Sequence, residues 1–381
     1  MRLIITALIL SVLYIAPASA QPFAYIGNAG SDNLLILDIS TNDLVEVIGF
    51  GSISGDAIVG VAVTPDGDFV YVSKPFSGDV SVIRTSDNML VDTINIGGGT
   101  SGVAVSPDGN FVYAASQAPL NSISAIRTSD NTIIDTVDVG EQPFGVAVTP
   151  NGDFVYVANN NSESVSTIRT SDNTVIATSN VGAGPFGVAA TPNGDFVYVT
   201  NSSTNTVSVI RTSDNMVVAT VDVGQSPLGV AVSLDGDSVY VANSSTNTVS
   251  VIRTSDNMVV ATVDVGQNPN GVALTPDGKF VYVINEDSEK VSVIITSDNT
   301  VVDTVGDFGL NIGSIGSFGF FITPSTGLPG DPDEPEGSSS GNKNSCALAG
   351  PGAATSYAPL LLFLPALILI RRLLKVRENK L

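Results

Sequence analysis

From residue 23 to about residue 323 the chain alternates apolar runs of five or six residues with clusters of Gly, Pro, Asn, Asp and Ser. Runs that short, rich in Val, Ile, Phe and Tyr and bounded by turn formers, predict strands and not helices. One unit shows the pattern: Phe186 to Thr191, Phe196 to Asn201, Thr206 to Ile210 and Met216 to Val221 predict four strands, A to D. The unit recurs, because Tyr25, Tyr71, Tyr113, Tyr156, Tyr198, Tyr240 and Tyr282 lie 46, 42, 43, 42, 42 and 42 residues apart. Four antiparallel strands in about 42 residues make one propeller blade, so an all-β, seven-bladed propeller is expected over residues 21–325. The A run is small and apolar, Gly-Val-Ala-Val or close to it, which suits the strand nearest a crowded axis.

The first strand, Phe23 to Gly27, is a B-type strand, so the propeller starts out of phase. Phe318 to Thr323 repeats the frame of an A strand and is expected to close the first blade beside the N-terminal B, C and D strands. The A–B turns read Pro65-Asp-Gly-Asp68 or similar in six units, as tight-turn chemistry requires. A calcium reading of these aspartates is weaker than the turn reading, since the spacing is not that of a calcium loop. The C–D turns repeat Arg-Thr-Ser-Asp-Asn from Arg84, Arg127, Arg169, Arg211 and Arg253, with Ile295 in the sixth. Both turn types fall on one face, where local Arg–Asp pairing that restrains neighbouring turns is favoured over an anion-binding ring.

The tetrapeptide Tyr198-Val199-Thr200-Asn201, softened at Tyr156 to Asn159, Tyr240 to Asn243 and Tyr282 to Asn285, resembles the signature of the YVTN family of β-propeller repeats. The resemblance covers about 300 residues and implies a seven-bladed propeller on a secreted or surface-layer-type protein. Trp is absent, which disfavours the Trp-Asp repeats, and residues 201–225 and 243–267 are identical, as after a recent duplication.

The ends carry targeting patterns. Residues 1–20 combine Arg2, an apolar run and a small-residue cleavage motif ending at Ala20, as a secretory signal peptide does. Residues 326–345 form an acidic Pro/Gly/Ser linker. Residues 346–381 hold an apolar run long enough to span a bilayer from residue 347 to 370, followed by Arg371, Arg372, Lys375 and Arg377. Cys346, the single cysteine, precedes that run, and the arrangement resembles tripartite sorting signals in which a Cys marks the processing site.

Charge and composition exclude several functions. No His occurs, so His bases, His-assisted nucleophiles and His-ligated metals are absent. With 37 Asp and Glu against 15 Lys and Arg the net charge is −22, which makes nucleic acid an unsuitable partner. No cofactor is called for. The B–C and D–A loops share the face opposite the regular turns and vary most between units, so binding is expected there. The candidate residues are Lys74, Phe76, Asp79, Asn121, Asn160, Glu163, Asn201, Asn243, Asn285, Glu286 and Lys290; Asn160, Asn201 and Asn243 also open Asn-x-Ser sequons. The expected function is non-enzymatic: an exported protein binding a protein, a glycan or its own neighbours at the cell surface, held to the membrane by its C-terminal segment. The alternative is a lactonase- or lyase-like enzyme with carboxylates at the channel mouth, and converging Asp or Glu side chains of raised pKa would mark it.

Overall fold

The computed structural model describes residues 23–28, 32–50, 57–306 and 320–322. The expected signal peptide with Ala20, the expected linker, and the C-terminal segment with Cys346 and the apolar run 347–370 lie outside these residues. Two units are distinguished, Met1–Pro329 and Gly330–Leu381, and only the first contains described residues. Among the described residues no helix is long and apolar enough to cross a membrane.

The described strands form seven four-stranded antiparallel sheets. Blades 2 to 7 occupy residues 60–95, 100–138, 143–180, 185–222, 227–264 and 269–305, each with its strands in chain order. Blade 1 is composite: Phe23–Asn28, Asn33–Asp38 and Asp43–Gly49 supply strands B, C and D, and Phe320–Ile322 supplies strand A. The expected closure is therefore present, with Ala24 opposite Ile322 and Ile26 opposite Phe320. Of the expected Phe318 to Thr323, residues 320–322 are described, and they form the A strand. In blade 5 the strands run Pro185–Ala190, Phe196–Asn201, Thr206–Arg211 and Met216–Asp222, within one residue of the sequence pattern.

Consecutive A strands touch around the axis, and the ring closes where the A strand of blade 1 meets those of blades 7 and 2. Glycine is required here: a Cβ on Gly187 would stand 2.4 Å from the carbonyl oxygen of Leu228 in the next blade, and one on Gly145 would stand 2.3 Å from that of Phe186. The Thr of the tetrapeptide serves the same contact. Thr200 Oγ1 accepts the Gly187 N–H at 2.8 Å and donates to the Leu228 carbonyl at 2.7 Å, tying two blades at the axis.

B and C strands are buried on both faces, so they read as continuous apolar runs and not as an alternation. The core lies between blades: Tyr198, Val207 and Val209 of blade 5 pack with Val239, Val241 and Ile252 of blade 6, and Ala24 and Leu35 of blade 1 pack with Tyr282 and Val291 of blade 7.

Candidate functional site

The first face, which we call the turn face, is built by self-contained turns. Asp66 Oδ1 accepts from the Thr64 hydroxyl at 2.5 Å and from the Asp68 N–H at 3.0 Å, so the turn itself occupies that oxygen. Among the described residues no group of three or more His, Cys, Asp or Glu side chains is placed to hold a metal ion. Arg84, Arg127, Arg169, Arg211 and Arg253 each pair with the Asp three residues on, at 2.5 to 3.0 Å, within one turn. These hydrogen-bonded arginines hold Asp130 and Asp172 down to about pKa 2. The pairing restrains its own turn and not a neighbouring one, which corrects the sequence expectation. The tie between turns is made by the next residue: Thr212 Oγ1 donates to the Gly194 carbonyl at 2.7 Å, linking the C–D turn to the A–B turn.

A second link was not legible as a pair in the sequence. The Tyr of each tetrapeptide reaches the Asn of the Arg-Thr-Ser-Asp-Asn turn in the following blade: Tyr156 donates to Asn215 Oδ1 at 2.7 Å, Tyr198 to Asn257 at 2.8 Å and Tyr240 to Asn299 at 3.1 Å. Tyr282 of blade 7 donates to Asn42 of blade 1, so the latch also spans the closure. The Asn stands at positive φ, +57° at Asn215 and +56° at Asn257, a region that Asn tolerates better than most residues. Burial pushes the Tyr198 phenol up to about pKa 12. The available signal was the recurrence of both residues 59 positions apart.

The opposite face, here the loop face, contains the predicted binding residues, and the structure sorts them. Asn201, Asn243 and Asn285 are fully buried, a correction to their expected place in the exposed loops. Asn201 Nδ2 donates to Thr206 Oγ1 and Ser208 Oγ, both at 3.0 Å, closing the end of its blade. Gly182 covers it so closely that a Cβ there would stand 2.8 Å from the Asn201 Cγ. Burial removes Asn201 and Asn243 from use as sequon acceptors. Lys74 is also buried; its ammonium lies 3.9 Å from Asp32 of blade 1 and 4.9 Å above the centre of the Phe50 ring. Asp79, Asn121 and Asn160 are partly buried and hold neighbouring loops: Asp79 accepts from Asn95, Asn121 Oδ1 accepts from the Gln142 N–H, and Asn160 donates to the Pro185 carbonyl. Glu163 and Lys290 are exposed.

Phe76 is the outlier. Its ring is 77% exposed at the tip of the blade 2 B–C turn, and Leu120, at the corresponding turn of blade 3, is 46% exposed. Leu120 was missed in the sequence because an isolated Leu beside a Pro reads as an ordinary loop residue. Between blades 3 and 4 a polar cleft of about 490 Å³ is lined by Asp138, Ser162, Thr178 and Asn180, among others.

At the loop-face end of the channel Phe144 and Phe186 stack with centroids 4.5 Å apart. Blade 7 breaks this apolar series with Asn270, buried, whose Nδ2 donates to Glu286 Oε2 at 3.0 Å. Asn268 Nδ2 also reaches Glu286 Oε2, at 3.3 Å. Burial raises the Glu286 pKa, the Asn270 hydrogen bond opposes the rise, and Asp287 adds to it. Glu286 is the one carboxyl among the described residues whose pKa is raised; no second carboxyl converges on it with that property.

This architecture defines a seven-bladed propeller with interlocked turns on one face and irregular polar loops on the other. The sequence matches the family described as Lactonase, 7-bladed beta-propeller, over residues 84–180 and 173–302, which is more than half of the chain. The chain belongs to that family. No curated protein matches it. Its fold is similar to Kuenenia stuttgartiensis hydrazine synthase, at 23% identity and a TM-score of 0.65, covering 72% of this chain and 92% of that one. It is also similar to a functionally unknown protein from Desulfotomaculum acetoxidans DSM 771, at 20% identity and a TM-score of 0.69, covering 79% of this chain and 99% of that one. At such identities the likeness concerns the fold alone.

Proposed function

We propose that this is an exported, surface-anchored binding protein whose loop face takes a glycan. The observation that carries the reading is Phe76, 77% exposed on a face otherwise rich in Asn, Ser, Thr and carboxylates. A flat aromatic ring beside many hydrogen-bonding groups suits a sugar, which offers an apolar ring face and a rim of hydroxyls. The net charge of −22 favours a neutral or basic ligand over an anionic one. The signal peptide, the stalk and the C-terminal apolar run support export and anchoring, with Cys346 as the processing point.

The enzymatic alternative draws on the family name. Against it stands the setting of Glu286: its raised carboxyl is already engaged by two asparagine amides, and the carboxyl beside it, Asp287, is engaged by Asn268. A glycan array probed with the full chain, its Phe76→Ala variant and its Arg211→Ala variant tests the proposal. Binding is expected to fall at least about tenfold in Phe76→Ala, the loss of roughly 1.4 kcal/mol, and to be unchanged in Arg211→Ala on the turn face. Equal loss in both variants, or none in Phe76→Ala, refutes the choice of face. A protein partner captured through Phe76 with no glycan bound would refute the ligand class alone.

A further inference from the structure

The cleft between blades 3 and 4 owes its room to blade 4. Its deep end is formed by Ser164 and Ser166, 3% and 2% exposed, which alternate along the C strand and so share a face. Asn180 and Thr178 stand opposite them on the D strand and continue that face outward. Blade 3 closes the other side with Asp138, at the end of its D strand, and the Val139-Gly140 segment that follows. Where blade 4 has Ser162 and Ser164, blade 5 has Thr204 and Thr206, and blade 6 has Thr246 and Thr248, so two methyl groups are missing from this wall.

The three serine hydroxyls of the cleft already accept a hydrogen bond. Ser162 Oγ accepts the Glu141 N–H at 2.7 Å, and Asn159 Nδ2 donates to Ser164 Oγ at 3.2 Å and to Ser166 Oγ at 2.9 Å. Among the described residues, none of the three protons has an acceptor of its own. Two of these hydroxyls are buried, where a donor left unused is costly. Three such donors call for acceptor oxygens, which a metal ion or an ammonium group lacks. An anion would meet Asp138, the one carboxylate of the lining, in a chain of net charge −22. Val139 and Val175 set apolar surface beside these polar groups. The matching ligand is uncharged, has hydroxyls that both accept and donate, and carries an apolar face, which describes a sugar ring.

We propose that this cleft is a saccharide site taking one or two neutral sugar rings. Its volume of about 490 Å³ lies in the range of sites that enclose small molecules. The assignment extends the glycan reading given above and rests on it for the presence of such a ligand at this face, while its geometry owes nothing to Phe76.

Titration of the full chain, in a detergent without sugar groups, with glucose, galactose, N-acetylglucosamine, maltose and lactose tests this, read from the NMR signals of the sugar. The variants are the pair Ser162→Thr, Ser164→Thr, which gives blade 4 the residues that blades 5 and 6 already fold with, Arg211→Ala on the turn face, and Phe76→Ala. The native chain and Arg211→Ala are expected to bind at least one of these sugars with a Kd of about 1 mM, and the threonine pair to bind it at least about fivefold more weakly. Circular dichroism checks that the pair remains folded; if it does not, Ser164→Thr alone takes its place. A sugar bound equally well by the native chain and the threonine pair, or no binding up to about 50 mM, overturns the cleft as a saccharide site. If the sugar that ignores the threonine pair is lost in Phe76→Ala, the glycan reading of the loop face outlives the cleft; if the glycan array is blank as well, both fall.

Discussion

Replacing Tyr198 with Phe isolates one blade-to-blade latch. The substitution keeps the ring, which is fully buried between blades 5 and 6, and removes only the hydroxyl that donates to Asn257 Oδ1 at 2.8 Å. A buried hydrogen bond contributes about 1 kcal/mol net, and an acceptor left without a partner costs about 1 to 3 kcal/mol, so a loss of about 1.5 kcal/mol is expected. Asn257→Gly removes the acceptor but accepts the φ of +56°, whereas Asn257→Ala adds a left-handed penalty of about 1 to 2 kcal/mol. The glycine's larger unfolded-state entropy offsets about half of that, so Asn257→Ala should be the worse by about 0.5 to 1 kcal/mol. The double variant Tyr198→Phe, Asn257→Gly should then cost about 1 kcal/mol less than the two single changes added. The chain has no Trp, so urea unfolding is best followed by far-ultraviolet circular dichroism. A coupling below about 0.3 kcal/mol would refute the latch as a source of stability.

Two further changes probe the axis and the channel mouth. Gly187→Ala places a Cβ 2.4 Å from the Leu228 carbonyl and should cost about 2 to 3 kcal/mol, whereas Gly67→Ala, with φ +76° and nothing within 4 Å, should cost only about 1 to 2 kcal/mol in thermal unfolding; the reverse order would sink the close-approach argument. Burial holds the folded Glu286 pKa above its ordinary 4.5, so ionising this group opposes folding. That cost is absent well below pH 4.5 and complete above the folded pKa, so Glu286→Gln should raise Tm at pH 7 and leave it nearly unchanged at pH 3.5. A rise of equal size at both pH values would place the effect elsewhere than in the charge.

Much of the fold was legible because its determinants are local and repeated. Strand lengths, turn residues and the out-of-phase start at Phe23 are written in consecutive positions, and a period near 42 residues counts the blades. What escaped reading were contacts between residues more than one repeat apart. Tyr198 and Asn257 are each explicable alone, one as core and one as a turn residue, and only the coordinates join them. The candidate site was less legible for a related reason. Asn201 and Lys74 are polar and flank loops, which reads as surface, yet the D–A loop folds over Asn201, and Asp32 and Phe50 enclose Lys74. Polarity reports a need for hydrogen bonds and not exposure.

The latch has a consequence for how such a ring grows. Its two halves lie 59 residues apart, about one repeat and a half, so no single unit contains a complete latch. Each unit instead carries the Tyr it extends forward and the Asn it offers backward. A copied segment that includes both, such as residues 240–267 repeating 198–225 with only Ala242 in place of Thr200, therefore arrives with a compatible joint at both ends and engages whatever neighbours it lands between. Duplication of one blade is, in effect, mutation without an interface to reinvent.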